Sequence, residues 1–490
     1  MQTIAIVGAG FSGVAVAWHL LQQLPPHSRL LLISNEAVIG RGLAYGTPSP
    51  HHLLNVPAAR MGIAVNDEGG FLRFLQQLGL PFQASDFVPR NLYGAYLQRV
   101  LGEQRALASA RQISLEILYD EVQELQTMST EPVAANCAGT NPPLPGLNLK
   151  LSKAGSIPAH RVVLALGNFA PRPLVYEVED GMQAQAQKHL LQSPWDFSCL
   201  MSIPVDARVL LLGSGLTAVD VLLQLRHLGH RGQVTMLSRR GLLAQAHRSS
   251  SHTGIASVPA EFVTGMLKLR SIPALLKYFR QAQRQLQATI GLDWRDLLAA
   301  MRPVTAEIWQ ALPQAEQRRF LRHLQALWDS HRHRMAAPVA EHVQQELQQQ
   351  SLQVQAGRLQ HLRYRAEYAA HAEPGPCWHV ASQARSHTVS KTQLFDYVIN
   401  CTGPVTALRA QTQGLIAALY QQGCICADAA ELGLMIKPDY QVQAVEARQT
   451  LAGVYYIGPL LKAQYWEATA VPELRMHAAR LAEHLLRSLA

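Results

Sequence analysis

Short, unbroken apolar runs recur along the chain, each followed by a glycine-rich turn and then an apolar stripe of helical length. Residues 3–7 (Thr-Ile-Ala-Ile-Val) form the first run. Gly8-Ala9-Gly10-Phe11-Ser12-Gly13 follows, then a helical pattern over 14–24, then a second apolar run over 30–33. Runs that are continuous rather than alternating predict strands buried on both faces, as in a parallel sheet. The same order returns at 207–212, with Gly213-Ser214-Gly215-Leu216-Thr217-Ala218, a helical pattern over 219–228 and a strand over 233–237. Further strands are predicted at 115–125, 147–151, 161–166, 352–362, 377–382, 395–400 and 453–457. Helices are predicted at 71–78 and 92–101, and a turn-rich stretch lies around 142–146. From 261 to 350 Leu, Gln, Arg and His recur at helical spacing with few β-branched runs, which predicts a helical insertion. A C-terminal helix opens near Pro472, a residue suited to a first turn.

Each glycine turn sits between a strand and a helix, the context that gives G-x-G-x-x-G its meaning. The first glycine permits the tight turn and the second admits a pyrophosphate. The third lets helix pack on strand, while the helix N-terminus offers free N–H groups to the phosphates. Gly8, Gly10, Phe11, Ser12 and Gly13 are therefore candidates for one dinucleotide. Gly213, Ser214, Gly215 and Thr217 are candidates for a second. A ribose-binding acid is expected after the second strand of each unit. In the first unit Ser34 stands at that point and Glu36 two residues on, and Glu36 is the preferred candidate. In the second unit Ser238-Arg239-Arg240 stands there instead. Arginines suit a 2′-phosphate, so NADPH is expected over NADH. Arg41, in Gly40-Arg41-Gly42, is a candidate for a pyrophosphate or for a surface ion pair. Asn55 is a candidate flavin neighbour or a turn residue before Pro57. The apolar runs that end in Gly167, Gly403 and Gly458 bring further backbone close to a cofactor.

At 490 residues the chain exceeds a single core, and its 48% hydrophobic and 16% charged residues are those of ordinary globular domains. The net charge is +9, but the Arg and His residues are dispersed among Glu and Gln, which argues against nucleic acid and suits an anionic cofactor. Six cysteines without a C-x-x-C pair imply reduced thiols and a cytoplasmic protein, and they disfavour a dithiol relay. No signal peptide or membrane span is expected. The run 328–334 (Trp-Asp-Ser-His-Arg-His-Arg) alternates His with Arg, which argues against a metal. A solvated helix face and an anion contact both remain open for it.

VGAGFSG, GRGLAYGTPSPHHLLNVPA, FVPRNLYGAYL, GSGLTA, LSRRG, FLRHLQALWDSHRHRM, INCTGP and GPLLKAQYWEATAVPELR together resemble the bacterial YdhS-like FAD/NAD(P)-binding proteins over nearly the whole chain. Residues 421–445 match that pattern poorly. The family is similar in architecture to flavin-containing and N-hydroxylating monooxygenases. The resemblance implies an α/β chain with two Rossmann-like domains, one for FAD and one for NADPH, and a helical insertion. The FAD domain is expected at 1–175 and 391–490, the NADPH domain at 176–260 and 351–390, and the insertion at 261–350. Two nucleotide sites imply hydride transfer to a flavin. A monooxygenase using O₂ through a flavin hydroperoxide on a small amine-type substrate is the favoured expectation. A reductase or dehydrogenase with a quinone or protein acceptor is the alternative, and a non-catalytic nucleotide-bound sensor is a third. No side chain is nameable as a catalytic acid or base, and the oligomeric state is not legible.

Overall fold

A computed structural model describes residues 2–128, 146–248, 257–366, 376–385 and 389–489. The turn-rich stretch expected around 142–146 lies outside these except for Gly146. Two five-stranded parallel sheets organise the chain. The first runs in the order Val454–Tyr456, Arg161–Leu164, Thr3–Val7, Arg29–Ile33, Ser114–Leu118. The second runs Leu352–Ala356, Val234–Ser238, Val209–Leu212, Tyr397–Asn400, Leu190–Leu191. In each, the strand before the glycine turn is central and buried along its whole length, as its unbroken apolar run requires. Helix Phe11–Leu21 is buried almost all round, because the first sheet lies on one side of it and the C-terminal helix Val471–Arg487 on the other. Pro472 does occupy the first turn of that C-terminal helix.

Several expected strands divide. Residues 115–125 become Ser114–Leu118 and Val122–Thr127, and 352–362 becomes Leu352–Ala356 and Arg358–Ala366. In both cases the first piece closes a parallel sheet and the second pairs antiparallel with its next strand in another sheet. Periodicity is blind to that change of partner. The expected helix at 92–101 extends to Arg90–Ala110. Strand Tyr397–Asn400 was expected in the first nucleotide domain. It instead pairs in parallel with Val209–Leu212 in the second sheet, and Lys391–Phe395 joins the sheet of Arg358–Ala366 by pairing antiparallel with Pro376–Gln383. The second domain therefore extends to about Gly403.

Six α-helices between Ala260 and Arg332 form the insertion. A seventh, Ala337–Gln348, packs on the second sheet through Val343. The insertion has its own apolar core, which Trp466 joins from the C-terminal segment. No described helix is long and apolar enough to cross a membrane.

The HHLLNVPA segment, which carries the candidate flavin neighbour Asn55, docks one domain on the other. His52 Nε2 lies 3.1 Å from the Asp220 carbonyl, and Arg90 pairs with the Asp220 carboxylate at 2.9 Å. The Asn55 carbonyl lies 3.1 Å from His247 Nε2.

Candidate functional site

The register places both glycine turns alike. Val7 is level with Ile33 and Leu164, so Gly8, Ser34 and Ala165 share the carboxyl edge of the first sheet. Leu212 is level with Leu237 and Asn400, so Gly213, Ser238 and Cys401 share the edge of the second. Gly8 has φ +106°, and a Cβ there would stand 2.2 Å from the Ala165 carbonyl oxygen. Gly213 has φ +123°, and its Cβ would stand 2.2 Å from the Cys401 carbonyl oxygen. No side chain fits either place. The second glycines differ from the first. A Cβ on Gly10 would meet only Gly42 Cα, at an ordinary 3.6 Å, and one on Gly215 would meet nothing within 4 Å. Protein packing does not demand these two glycines, so the open space beside them is free for a ligand.

A cleft of about 400 Å³ opens in front of the first turn. Gly8, Gly10, Phe11, Ser12, Glu36 and Arg41 line it on one side. Gly167, with φ +68°, and Pro459, after Gly458 with φ +144°, line the other. Helix Phe11–Leu21 has no side-chain cap and no acid in its first turn. Its first N–H groups and positive dipole end are therefore available to an anion. The C-terminal helix also opens uncapped, with Val471 on the cleft. Glu36 lies at the cleft and accepts the Gly42 N–H at 3.1 Å. Desolvation raises its pKa, and the Gly42 bond works against that rise. Arg41 binds Gln98 through Nε and Nη2 and makes no ion pair among the described residues. The donors and the Glu36 carboxylate fit a flavin dinucleotide, with pyrophosphate at the turn and ribose at the acid.

The second cleft, about 900 Å³, carries Ser214, Gly215, Thr217, Ser238, Arg239 and Arg240. Helix Leu216–His227 likewise begins uncapped. Register makes Ser238 the counterpart of Ser34, and so Arg240 the counterpart of Glu36. At the offset where the first site has an acid, the second has a guanidinium. Arg322, Arg358, Arg385 and Lys462 line the same cleft, and Asp329 is the one carboxylate among its described lining residues. Such a field favours a polyanion with a phosphate beyond the pyrophosphate. Ser238 is engaged within its own turn. Its hydroxyl accepts the Gly241 N–H at 3.0 Å and lies 2.7 Å from that of Ser214. Arg240 donates to the Arg322 carbonyl at 2.9 Å. Arg239 is exposed and has no hydrogen bond or ion pair among the described residues. Gly403 takes φ +85° behind this turn, and Pro404 lines the cleft.

Asn168 and Thr469 line both clefts, so the two clefts meet there. The sequence reading did not single out these two residues, nor Lys462 and the other three cations. They come from separate elements, and no local motif announces them. Asn55 lines neither cleft; its carbonyl is engaged by His247 at the domain junction. The 328–334 run is not a solvated face. Arg332 pairs with Glu467 at 2.6 Å, the Arg334 guanidinium lies 5.8 Å from the Trp294 ring centroid, and Asp329 and His333 line the cationic cleft. Desolvation, then the charges of Arg332, Lys462 and Arg302, lower the pKa of His333 and keep it neutral.

A family model described as FAD-NAD(P)-binding matches residues 5–169. A search of curated proteins finds no match. Solved structures with this arrangement include the ornithine N-hydroxylase of Kutzneria sp. 744, at TM-score 0.63 and 13% identity over 100% of both chains. The ornithine hydroxylase PvdA of Pseudomonas aeruginosa matches at TM-score 0.59 and 14% identity, again over 100% of each chain. The bacillithiol disulfide reductase Bdr of Staphylococcus aureus matches at TM-score 0.51 and 12% identity, over 100% of each. Residues 5–169 thus form an FAD/NAD(P)-binding domain, and the chain as a whole has the α/β fold of two-domain flavoproteins, N-hydroxylating monooxygenases among them.

Proposed function

We propose that the protein is an FAD-dependent, NADPH-using monooxygenase acting on a small amine-type substrate. The observation that carries this is the meeting of an uncapped glycine-turn cleft with a six-cation cleft at Asn168 and Thr469. Gly8, Gly10, Gly13 and the first turn of helix Phe11–Leu21 hold the flavin pyrophosphate, and Glu36 or Ser34 its ribose. Gly213, Gly215 and the arginines after Val234–Ser238 hold NADPH. Bound FAD supplies the redox chemistry, accepting hydride from NADPH and passing electrons to O₂. The protein contributes position and field. The fold shared with two ornithine hydroxylases supports this substrate class. The GRGLAYGT and LLNVPA motifs support membership of the YdhS-like family, and six cysteines without a C-x-x-C pair suit a cytoplasmic setting.

The test is a screen of NADPH consumption against ornithine, cadaverine and other small amines, with hydrogen peroxide measured in parallel. A monooxygenase consumes NADPH faster with its amine and releases less peroxide per NADPH. Amine-independent oxidation that accelerates only with a quinone or a disulfide overturns this in favour of a reductase, the class of the Staphylococcus aureus neighbour. Tight FAD binding without NADPH oxidation under any acceptor overturns it in favour of a sensor.

A further inference from the structure

The helical insertion carries a further, chemically different cavity of about 290 Å³ that is open to solvent. Its walls are apolar and aromatic, with Phe279, Trp294, Trp309, Phe320, Trp328 and Trp466 around it. Neither nucleotide site uses it. The helix Gln325–Arg332 divides it from the cationic cleft. Leu324, Leu327, Trp328 and His331, spaced as one helix face, turn to the cavity, while Gln325, Asp329 and Ser330 turn to the cleft. A second element is also shared. The Lys462 ammonium, which lines the cleft, stands 4.3 Å from the centroid of the Trp466 ring, which lines the cavity.

An apolar cavity of about 150 Å³ holds one benzene ring, so this one has room for about two fused rings. Aromatic walls favour an aromatic guest through edge and face contacts. Arg280 and Gln283, one turn apart on helix Ile272–Ile290, supply polar groups to the lining. Arg280 is exposed and makes no hydrogen bond or ion pair among the described residues. We propose that this cavity is a binding site for a fused-ring aromatic carboxylate, its rings among the tryptophans and its anion at Arg280, and that occupancy is transmitted to the NADPH cleft through helix Gln325–Arg332 and Lys462. The inference is independent of the reaction class proposed above.

The probe is 1-naphthoate, titrated calorimetrically into the purified FAD-loaded protein. Saturable one-to-one binding is expected. Leu276→Trp fills the cavity with added rings and should weaken that binding tenfold or more without lowering the melting temperature. Arg280→Ala should weaken 1-naphthoate while leaving neutral 1-naphthalenemethanol unchanged. NADP⁺ affinity should change in the presence of 1-naphthoate, and 1-naphthoate affinity by the same factor in the presence of NADP⁺. No saturable binding, or equal affinity in Leu276→Trp, overturns the site. Equal loss of acid and alcohol in Arg280→Ala overturns the anion contact, and an unchanged NADP⁺ affinity overturns the transmission.

Discussion

Cofactor choice in the second cleft should rest on Arg239 more than on its neighbour. Arg240 already spends Nη2 on the Arg322 carbonyl, and Ser238 is bonded within its turn, whereas Arg239 is exposed and unpaired among the described residues. A guanidinium with no prior partner gives up only water to clasp a 2′-phosphate. Losing one hydrogen bond to a charged group costs about 1.5–3 kcal/mol, or roughly 10- to 150-fold in affinity. Arg239→Ala should therefore raise the Kd of NADPH by roughly that factor and leave NADH nearly unchanged, because NADH has no phosphate at that point. Arg240→Ala should cost less in selectivity and more in stability, since it also unties helix Gln314–His323 from the turn. The assay is anaerobic reduction of the bound flavin, with rate against NADPH and NADH concentration for the native protein and both variants. Equal use of the two cofactors by the native protein refutes the reasoning. Selectivity that survives Arg239→Ala but vanishes in Arg240→Ala refutes the assignment within the pair.

Gly10→Ala should fold normally, because its Cβ meets nothing closer than 3.6 Å, yet should lose flavin absorbance on purification. Gly8→Ala, with its Cβ 2.2 Å from a carbonyl oxygen, should fail to fold; full flavin retention in a folded Gly10→Ala would remove the ligand from that space. His52 is buried, with Nδ1 2.8 Å from the Thr47 hydroxyl and Nε2 3.1 Å from the Asp220 carbonyl, so both ring nitrogens are satisfied in the neutral form. Desolvation first, and Arg90 second, lower its pKa from 6.5 to about 4. The unfolded chain then takes up the proton first, and stability is lost as pH falls from about 6.5 towards 4, by up to about 3 kcal/mol. Denaturant midpoints measured from pH 8 to 4.5 should fall more steeply for the native protein than for His52→Gln, by about one proton; identical slopes would show that His52 titrates normally.

The two glycine turns, the strands before them and the opposed Glu36 and Arg240 were legible because each depends on residues adjacent in sequence. Register then turned that local pattern into a comparison of two sites at matched positions. Chain 395–400 was misplaced because an apolar strand ending in Cys-Thr-Gly fits either parallel sheet equally well. Its partner is set by packing between Val209–Leu212 and Leu190–Leu191, which no local pattern records. The cationic cleft was half legible for the same reason. Arg239 and Arg240 follow a strand and can be read, whereas Arg322, Arg358, Arg385 and Lys462 arrive from four separate segments. The HHLLNVPA segment shows the opposite failure. Its Asn55 was read as a flavin neighbour or a turn residue, yet the segment's histidine and backbone atoms bind the neighbouring domain. A strongly patterned segment can be demanded by an interface as much as by a cofactor. The two domains that His52, Arg90 and Asp220 join carry the clefts that meet at Asn168 and Thr469. Those three residues line neither cleft, so loosening the junction should slow hydride transfer while leaving each nucleotide bound.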